Sequence, residues 1–280
     1  MIVCPDELKK RYREGRLIPF IGAGISRSVK WTADGVEKRG PSWKDMVDQA
    51  IHELGFAVPD LLRVRGTDLQ ILEYFQMRNG GEFSRLTNWL VRNMHPPDEA
   101  LKNSLIHHEL AALKDCRLIY TTNYDDFIER SFALNGRACH EVVIEDHMQQ
   151  NRSESEIIKF HGSWNFPKTM VISESHYEER LKLKTCLDHR LRSDLLGNAV
   201  LFIGYSFRDP NVSYIFRLMK DEFGPLPLSA AGRRAYIAVS EPSGFECKLF
   251  LERQIEVIHI GSQDPVGDIV KLLTEVRSYA

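Results

Sequence analysis

The chain has 280 residues, of which 43% are apolar, and this is enough apolar sequence to bury a full hydrophobic core. Its 37 basic and 39 acidic side chains give a formal net charge of -2, so no global field favours nucleic acid or an anionic membrane, and we expect direct binding to neither. The sequence has no apolar run near the roughly 18 residues of a membrane-spanning helix and no signal-like start, so we expect a cytoplasmic protein.

The cysteines argue against a metal site. There are five, at widely separated positions and without a Cys-x-x-Cys pair. An odd, scattered set is typical of reduced thiols, and the missing pairs remove the commonest thiolate cage for zinc. We therefore expect neither zinc nor another metal.

The order of the predicted elements indicates the fold class. Apolar runs read as buried strands at 17–21, 117–121, 157–160, 199–203, 235–239 and 255–260. Helical spacing occurs at 43–54, 68–75, 83–94, 99–113, 127–134, 176–196, 211–223 and 265–279. Alternating strands and helices predict a Rossmann-like α/β fold, in which a parallel sheet carries helices on both faces.

We expect a single domain over residues 1–280, with one insertion. Residues 27–115 show helical patterns and no convincing strand, which predicts a helical insertion or cap beside a nucleotide crevice. Residues 27–41 and 224–233 are expected to be flexible loops.

A glycine turn follows the first predicted strand. Gly22, Ala23, Gly24 and Ser26 lie in the sequence Gly-Ala-Gly-Ile-Ser, and a glycine backbone can approach a diphosphate closely. Arg27 replaces the third glycine of the dehydrogenase fingerprint, so an ordinary dehydrogenase is disfavoured. By itself the turn is equally compatible with a tight strand-to-helix connection that binds no ligand.

Polar residues follow three other predicted strands, at the sheet edge where ligands of open α/β folds bind. They are Asn123 and Asp125 in Thr-Thr-Asn-Tyr-Asp-Asp, His161 in His-Gly, and Gly204 and Ser206 in Gly-Tyr-Ser. Helix capping is an alternative explanation for the carboxylates, and a hydrogen-bonded core histidine is an alternative for the imidazole.

Taken together and in order, these motifs resemble the sirtuin superfamily. The matching segments are Gly22 to Ser26, Thr121 to Asp125, His161-Gly162 and Gly204 to Ser206. The string Gly-Tyr-Ser-Phe-Arg-Asp-Pro-Asn at 204–211 looks like the divergent bacterial branch associated with antiphage defence. Two features of the family's protein deacetylases are missing, namely the cysteine-rich zinc module and the Ile-Pro-Asp-Phe-Arg segment, which Gly40-Pro41-Ser42-Trp43 replaces.

The resemblance implies an NAD hydrolase that cleaves the bond between nicotinamide and ribose. It assigns catalysis to Asn123 and His161, and binding of NAD, the substrate, to Gly22, Ala23, Gly24, Ser26, Asp125, Gly204 and Ser206. A protein deacylase that uses the same pocket is the first alternative. A non-catalytic sensor of NAD or ADP-ribose is the second.

The resemblance also implies partners. Related short members act beside a HerA-type hexameric ATPase that translocates DNA, and they assemble into rings, so we expect a homo-oligomer and possible control by such an ATPase. The amphipathic segment at 178–192 is either a solvated helix or an interface.

Overall fold

A computed structural model of the chain describes residues 3–56, 58–148, 154–182, 184–205, 215 and 235–278. Its strands are β1 (Leu17–Ile21), β2 (Lys30–Ala33), β3 (Val36–Arg39), β4 (Leu118–Thr121), β5 (Cys139–Val142), β6 (Ser155–Lys159), β7 (Ala199–Ile203), β8 (Ala235–Ser240) and β9 (Ile255–Ile260). The predicted helix at 211–223 and loop at 224–233 lie outside these residues, apart from the single residue 215.

The helices up to β4 are α1 (Asp6–Arg13), α2 (Ala23–Arg27), α3 (Trp43–Leu54), α4 (Pro59–Arg65), α5 (Asp68–Arg78), α6 (Ser84–Asn93), α7 (Asp98–Lys102) and α8 (Leu105–Ala112). After β4 follow α9 (Phe127–Leu134), α10 (Glu145–Met148), a 3-10 turn (Pro167–Thr169), α11 (Glu174–Leu181), α12 (Cys186–Gly197), α13 (Gly244–Glu252) and α14 (Pro265–Ser278).

Reciprocal capping boxes determine where four of these helices begin. In each, a Ser or Thr side chain accepts from the backbone three residues on, and the side chain at that position accepts from the capping residue. The pairs are Ser42 with Asp45, Thr67 with Gln70, Thr185 with Asp188, and Ser243 with Glu246. The third pair divides the predicted helix at 176–196 into α11 and α12.

Seven strands form one parallel sheet in the order β5-β6-β4-β1-β7-β8-β9. This confirms the predicted fold class. All five residues of β1 and of β7 are buried, as expected for central strands covered on both faces. The chain leaves β1 toward β4 and later returns to β7 on the other side of β1, so the strand order reverses at β1 and β7, where open α/β sheets bind their ligands.

Alternation along β1 separates two core layers. Leu17 and Ile21 pack in one cluster with residues of α1, α8, α9 and α14. Ile18 and Phe20 pack in the other, with residues of α12 and α13. Helices therefore cover both faces, because successive side chains of a strand point to opposite sides.

A third core cluster belongs to the cap, which packs against the loops at the carboxyl edge of the sheet. It joins residues of α3, α5 and α6 to Phe127 and Trp164, which follow β4 and β6. α8 instead packs in the first sheet cluster, through Ile106 and Leu110. The division of a single domain into a sheet and one insertion at 27–115 therefore remains a proposal. We propose that α8, although it lies within 27–115, belongs with the sheet.

The prediction that residues 27–115 contain no strand is wrong, and so is the flexible loop at 27–41. β2 and β3 pair as an antiparallel hairpin across Asp34 and Gly35, both at positive φ. Asp-Gly is a strong hairpin signal, but these strands are largely exposed and lack the apolar run used to find the others. The edge strand β5 escaped prediction for a similar reason, because three of its four residues are only half-buried.

Candidate active site

The turn after β1 and the end of β7 lie in direct backbone contact. The Gly22 and Gly24 amides donate to the carbonyls of Ile203 (2.8 Å) and Gly204 (2.9 Å). A Cβ on Gly22 would lie 2.6 Å from the Gly204 oxygen, so a larger residue would push the two strands apart. The amides of Gly22 and Gly24 are thus used within the protein, while Ala23 is exposed. That this turn contacts a diphosphate stays a prediction, and Ala23 is the residue that would make most of the contact.

Tyr205, which sequence reasoning did not single out, links the ends of β7, β1 and β4 through its hydroxyl. Its hydroxyl lies 2.9 Å from the Ile21 carbonyl, to which it donates, and 3.0 Å from the hydroxyl of Thr122. Its ring packs edge-on against Phe20, with a centroid distance of 6.0 Å. The sequence signal for this residue was a large aromatic side chain directly after Gly204, the glycine that follows β7. The neighbouring predicted residue, Ser206, lies outside the described residues.

Asn123 follows β4 and is almost fully buried. Its Nδ2 donates to the Gly22 carbonyl at 3.1 Å and to the Ser26 hydroxyl at 2.9 Å. Since a carbonyl can only accept, the nitrogen must face Gly22, and both amide hydrogens are used. Oδ1 is buried with no hydrogen-bond partner among the residues that the structure describes. The carboxamide is therefore locked in place, with a buried acceptor oxygen that no described residue uses.

Ser26 and Asp125 hold this carboxamide from behind. The buried Ser26 hydroxyl accepts from Asn123 and hydrogen-bonds the Asp125 carboxylate. Asp125 also accepts from the Phe127 amide at 3.2 Å, a local bond to the first backbone amide of α9. Burial raises the pKa of Asp125, and the hydrogen bonds oppose that shift. Both residues thus serve the network behind Asn123, and a direct contact of either with NAD stays a prediction.

A buried ion pair supports the same loop and was not foreseen. Lys159, the last residue of β6, is fully buried, and its Nζ lies 3.0 Å from a Glu129 carboxylate oxygen and donates to the Asp125 carbonyl. Burial raises the pKa of Glu129 to about 7, against the opposing charge of Lys159. This cation anchors the backbone between Asn123 and α9.

His161 follows β6 and is 2% exposed. Its Nδ1 is buried and has no hydrogen-bond partner within the described parts of the chain. Burial, and then the charge of Arg180, lowers the pKa of the imidazole to about 3, so the ring is neutral at ordinary pH. The next residue, Gly162, has a φ of +85°, and a Cβ there would overlap the Thr169 carbonyl, so the His-Gly pair is a steric requirement.

The loops that carry Asn123 and His161 are tied together. β6 and β4 are neighbours in the sheet, and the Phe160 amide donates to the Thr121 carbonyl at 2.8 Å. The Trp164 amide donates to the Tyr124 carbonyl at 3.1 Å. The order β6-β4-β1-β7 therefore brings the residues that follow four adjacent strands to one edge of the sheet.

The structure also bears on possible metal ligands and on a membrane-spanning helix. His107 and His108 point apart and hydrogen-bond Ser104 and Asn135, respectively. Within the described residues, no group of three or more His, Cys, Asp or Glu side chains is placed to hold a metal ion. A search of the same residues finds no helix with the length and apolarity needed to cross a membrane.

Comparison with known proteins identifies the family. The model of the SIR2-like domain family matches residues 117–258, just over half of the chain. The chain belongs to this SIR2-like family.

The chain is also similar to proteins named as NAD(+) hydrolases and as a defense-associated sirtuin. NAD(+) hydrolase ThsA of Acinetobacter baumannii is 26% identical over 78% of this chain and 42% of its own length. NAD(+) hydrolase ThsA of Enterococcus faecium is 30% identical over 74% of this chain and 41% of its own. Defense-associated sirtuin 2 of Bacillus subtilis is 22% identical over 80% of this chain and 21% of its own. The SIR2-like chain thus matches less than half the length of each of these relatives.

Proposed function

We propose that this SIR2-like protein is an NAD glycohydrolase that depletes NAD in antiphage defence. The relatives named as NAD(+) hydrolases and as a defence-associated sirtuin support the proposal. The observation that carries it is a pair of buried polar atoms, Asn123 Oδ1 and His161 Nδ1, that have no hydrogen-bond partner among the described residues. Leaving such atoms unsatisfied costs about 1–3 kcal/mol each, and a ligand with hydroxyl groups would recover that cost.

The reaction breaks the bond between C1′ of the ribose and the nicotinamide nitrogen and joins a water oxygen to C1′. Nicotinamide leaves with the bonding electron pair as a neutral molecule, the water loses one proton, and ADP-ribose is the other product. Nicotinamide in NAD is a cationic leaving group, so the protein's task is to orient water and stabilise the positive charge that develops on the ribose.

The buried contacts suit Asn123 to the first task. Both of its amide hydrogens are used by Gly22 and Ser26, so it can only accept, from a ribose hydroxyl or from the attacking water. Ser26 and Asp125 hold the carboxamide in the one orientation that presents this acceptor. A rigid acceptor loses little entropy when it meets the transition state.

His161 is proposed as the second acceptor and base. Its low pKa keeps the imidazole neutral, so it accepts a hydrogen bond over the whole physiological pH range. A base is most effective when its pKa lies near the working pH, so orienting a hydroxyl or water is the larger part of the role we assign to this ring. Ala23, Gly204 and Ser206 complete the proposed binding of NAD.

The test measures nicotinamide release from NAD by the purified full chain in water labelled with oxygen-18. We expect one labelled oxygen at C1′ of ADP-ribose, and a loss of at least about 100-fold in Asn123→Ala and in His161→Ala. Asn135→Ala, which removes an unrelated carboxamide at the C-terminal cap of α9, should keep full activity. If neither the chain alone nor any of its assemblies releases nicotinamide, hydrolysis is refuted. Formation of O-acyl-ADP-ribose only with acylated peptide would instead identify a deacylase.

The cellular setting forms part of the same proposal. Continuous NAD destruction would kill the cell, so we propose a cytoplasmic homo-oligomer that is held inactive and controlled by a HerA-type ATPase. Co-expression of the two proteins tests this. Co-elution, with nicotinamide release that changes on association, supports control by the ATPase, and separate elution with unchanged release contradicts it.

A further inference from the structure

Aromatic rings enclose the His161 imidazole. The ring stacks on Phe160, with centroids 5.8 Å apart, and meets Tyr177 edge-on at 5.5 Å with an interplanar angle of 89°. A catalytic histidine is commonly oriented by a hydrogen bond to its second nitrogen. Here Nδ1 has no such partner among the described residues, so none of them orients the ring through this nitrogen.

We propose that Tyr177 and Arg180, three residues apart on α11, are positioning residues for the His161 imidazole. Residues at this spacing share one face of a helix, and that face lies against the end of β6. The effect on turnover rests on the proposed NAD hydrolysis, whereas the effect on the position of the ring does not.

Arg180 acts through the residue that precedes the histidine. Its Nε donates to the Phe160 carbonyl at 3.1 Å, and Nη2 donates to the same oxygen. The guanidinium carbon lies 4.3 Å from the centroid of the Phe160 ring, in cation-π contact. One side chain therefore holds both the backbone and the ring on which His161 stacks, and its charge also lowers the pKa of the imidazole.

α11 is itself held at both ends. At its start, the Glu73 carboxylate of the cap accepts from the Ser175 amide at 3.0 Å and from the Ser175 hydroxyl at 2.8 Å. At its end, Arg180 donates to Thr185 at 2.9 Å, and Thr185 opens the capping box of α12. The position of α11, and with it the orientation of His161, is thus coupled to the cap.

The first experiment compares Tyr177→Ala with Tyr177→Phe, and uses Glu178→Ala on the exposed face of α11 as the control. The readouts are the NMR resonance of the His161 Cε1 proton, assigned from its loss in His161→Gln, and the kcat and KM of nicotinamide release. Removing the ring should shift the resonance and lower kcat by about tenfold or more with little change in KM, because a misplaced base loses its alignment. Tyr177→Phe and Glu178→Ala should retain the wild-type resonance and kcat.

Arg180→Gln gives the second test. We expect a shifted His161 resonance and a fall in kcat of about tenfold, with the fold checked by circular dichroism. If Arg180→Gln does not fold, the Tyr177 pair alone decides. An unchanged resonance in Tyr177→Ala, or an equal loss in Tyr177→Phe, overturns the proposal. If the wild type releases no nicotinamide in any assembly, the proposed function fails, while the His161 resonance in Arg180→Gln, which loses no aromatic ring current, still tests the positioning.

Discussion

Replacing Gly204 with alanine tests the close contact between β1 and β7. Gly204 has a φ of +80°, and an added Cβ would lie 2.7 Å from Ile25 Cγ1 and 2.9 Å from the Gly22 carbonyl oxygen. The left-handed backbone costs an alanine about 1–2 kcal/mol. Overlap with a packed backbone adds about 1–3 kcal/mol. Gly204→Ala should therefore lower the free energy of unfolding by about 2–5 kcal/mol.

Gly136→Ala separates the two contributions. Gly136 has a φ of +67°, close to that of Gly204, but a Cβ there meets nothing within 4 Å. Its substitution should cost only the backbone strain of about 1–2 kcal/mol. Urea denaturation followed by circular dichroism measures both variants. With a slope of roughly 3 kcal/mol per molar urea, the midpoint of Gly204→Ala should lie about 0.3–1 M below that of Gly136→Ala. Equal midpoints would refute the steric contact between the two turns.

Three further predictions concern buried polar groups. Tyr205→Phe removes a hydroxyl with two buried contacts and should cost about 1–3 kcal/mol in urea denaturation; a change below that range would show that the hydroxyl is not needed. Burial lowers the pKa of His107 from 6.5 to about 4, so the unfolded chain binds a proton first, and stability present above pH 6.5 is lost as the pH falls toward 4. At about 1.4 kcal/mol per unit of pKa shift, the stability lost is about 3 kcal/mol. Between pH 7 and pH 4, the free energy of unfolding of His107→Gln should therefore fall by about 3 kcal/mol less than that of the wild type, as measured by denaturation curves at the two pH values. Lys159→Met leaves the Glu129 carboxylate buried without its cation and should lower the free energy of unfolding by about 3–5 kcal/mol at pH 8. The double variant Lys159→Met with Glu129→Gln should recover most of this loss. Equal instability of the single and double variants would exclude the unpaired charge as the cause.

Local sequence patterns were sufficient to predict the strands that consist of a continuous apolar run. The apolar runs of β1 and β7 predicted those strands to the residue, because central strands of a parallel sheet must be apolar on both faces. The apolar run of the edge strand β9 predicted its bounds as well. The hairpin of β2 and β3 was missed because its strands are exposed and carry no apolar run. The ends of α11 and α12 were missed because helical periodicity continues across the capping box at Thr185.

The sequence by itself determined the fold class, the family and the strand ends at which Asn123 and His161 stand. Only the tertiary structure decided how those side chains are used. Both hydrogens of the Asn123 amide are taken by residues about 100 positions away in the chain, and the His161 ring is held by a helix that periodicity alone did not delimit. Such contacts depend on which strands become neighbours. A linear pattern records periodicity and motif order, but it does not record which side chains meet across the sheet.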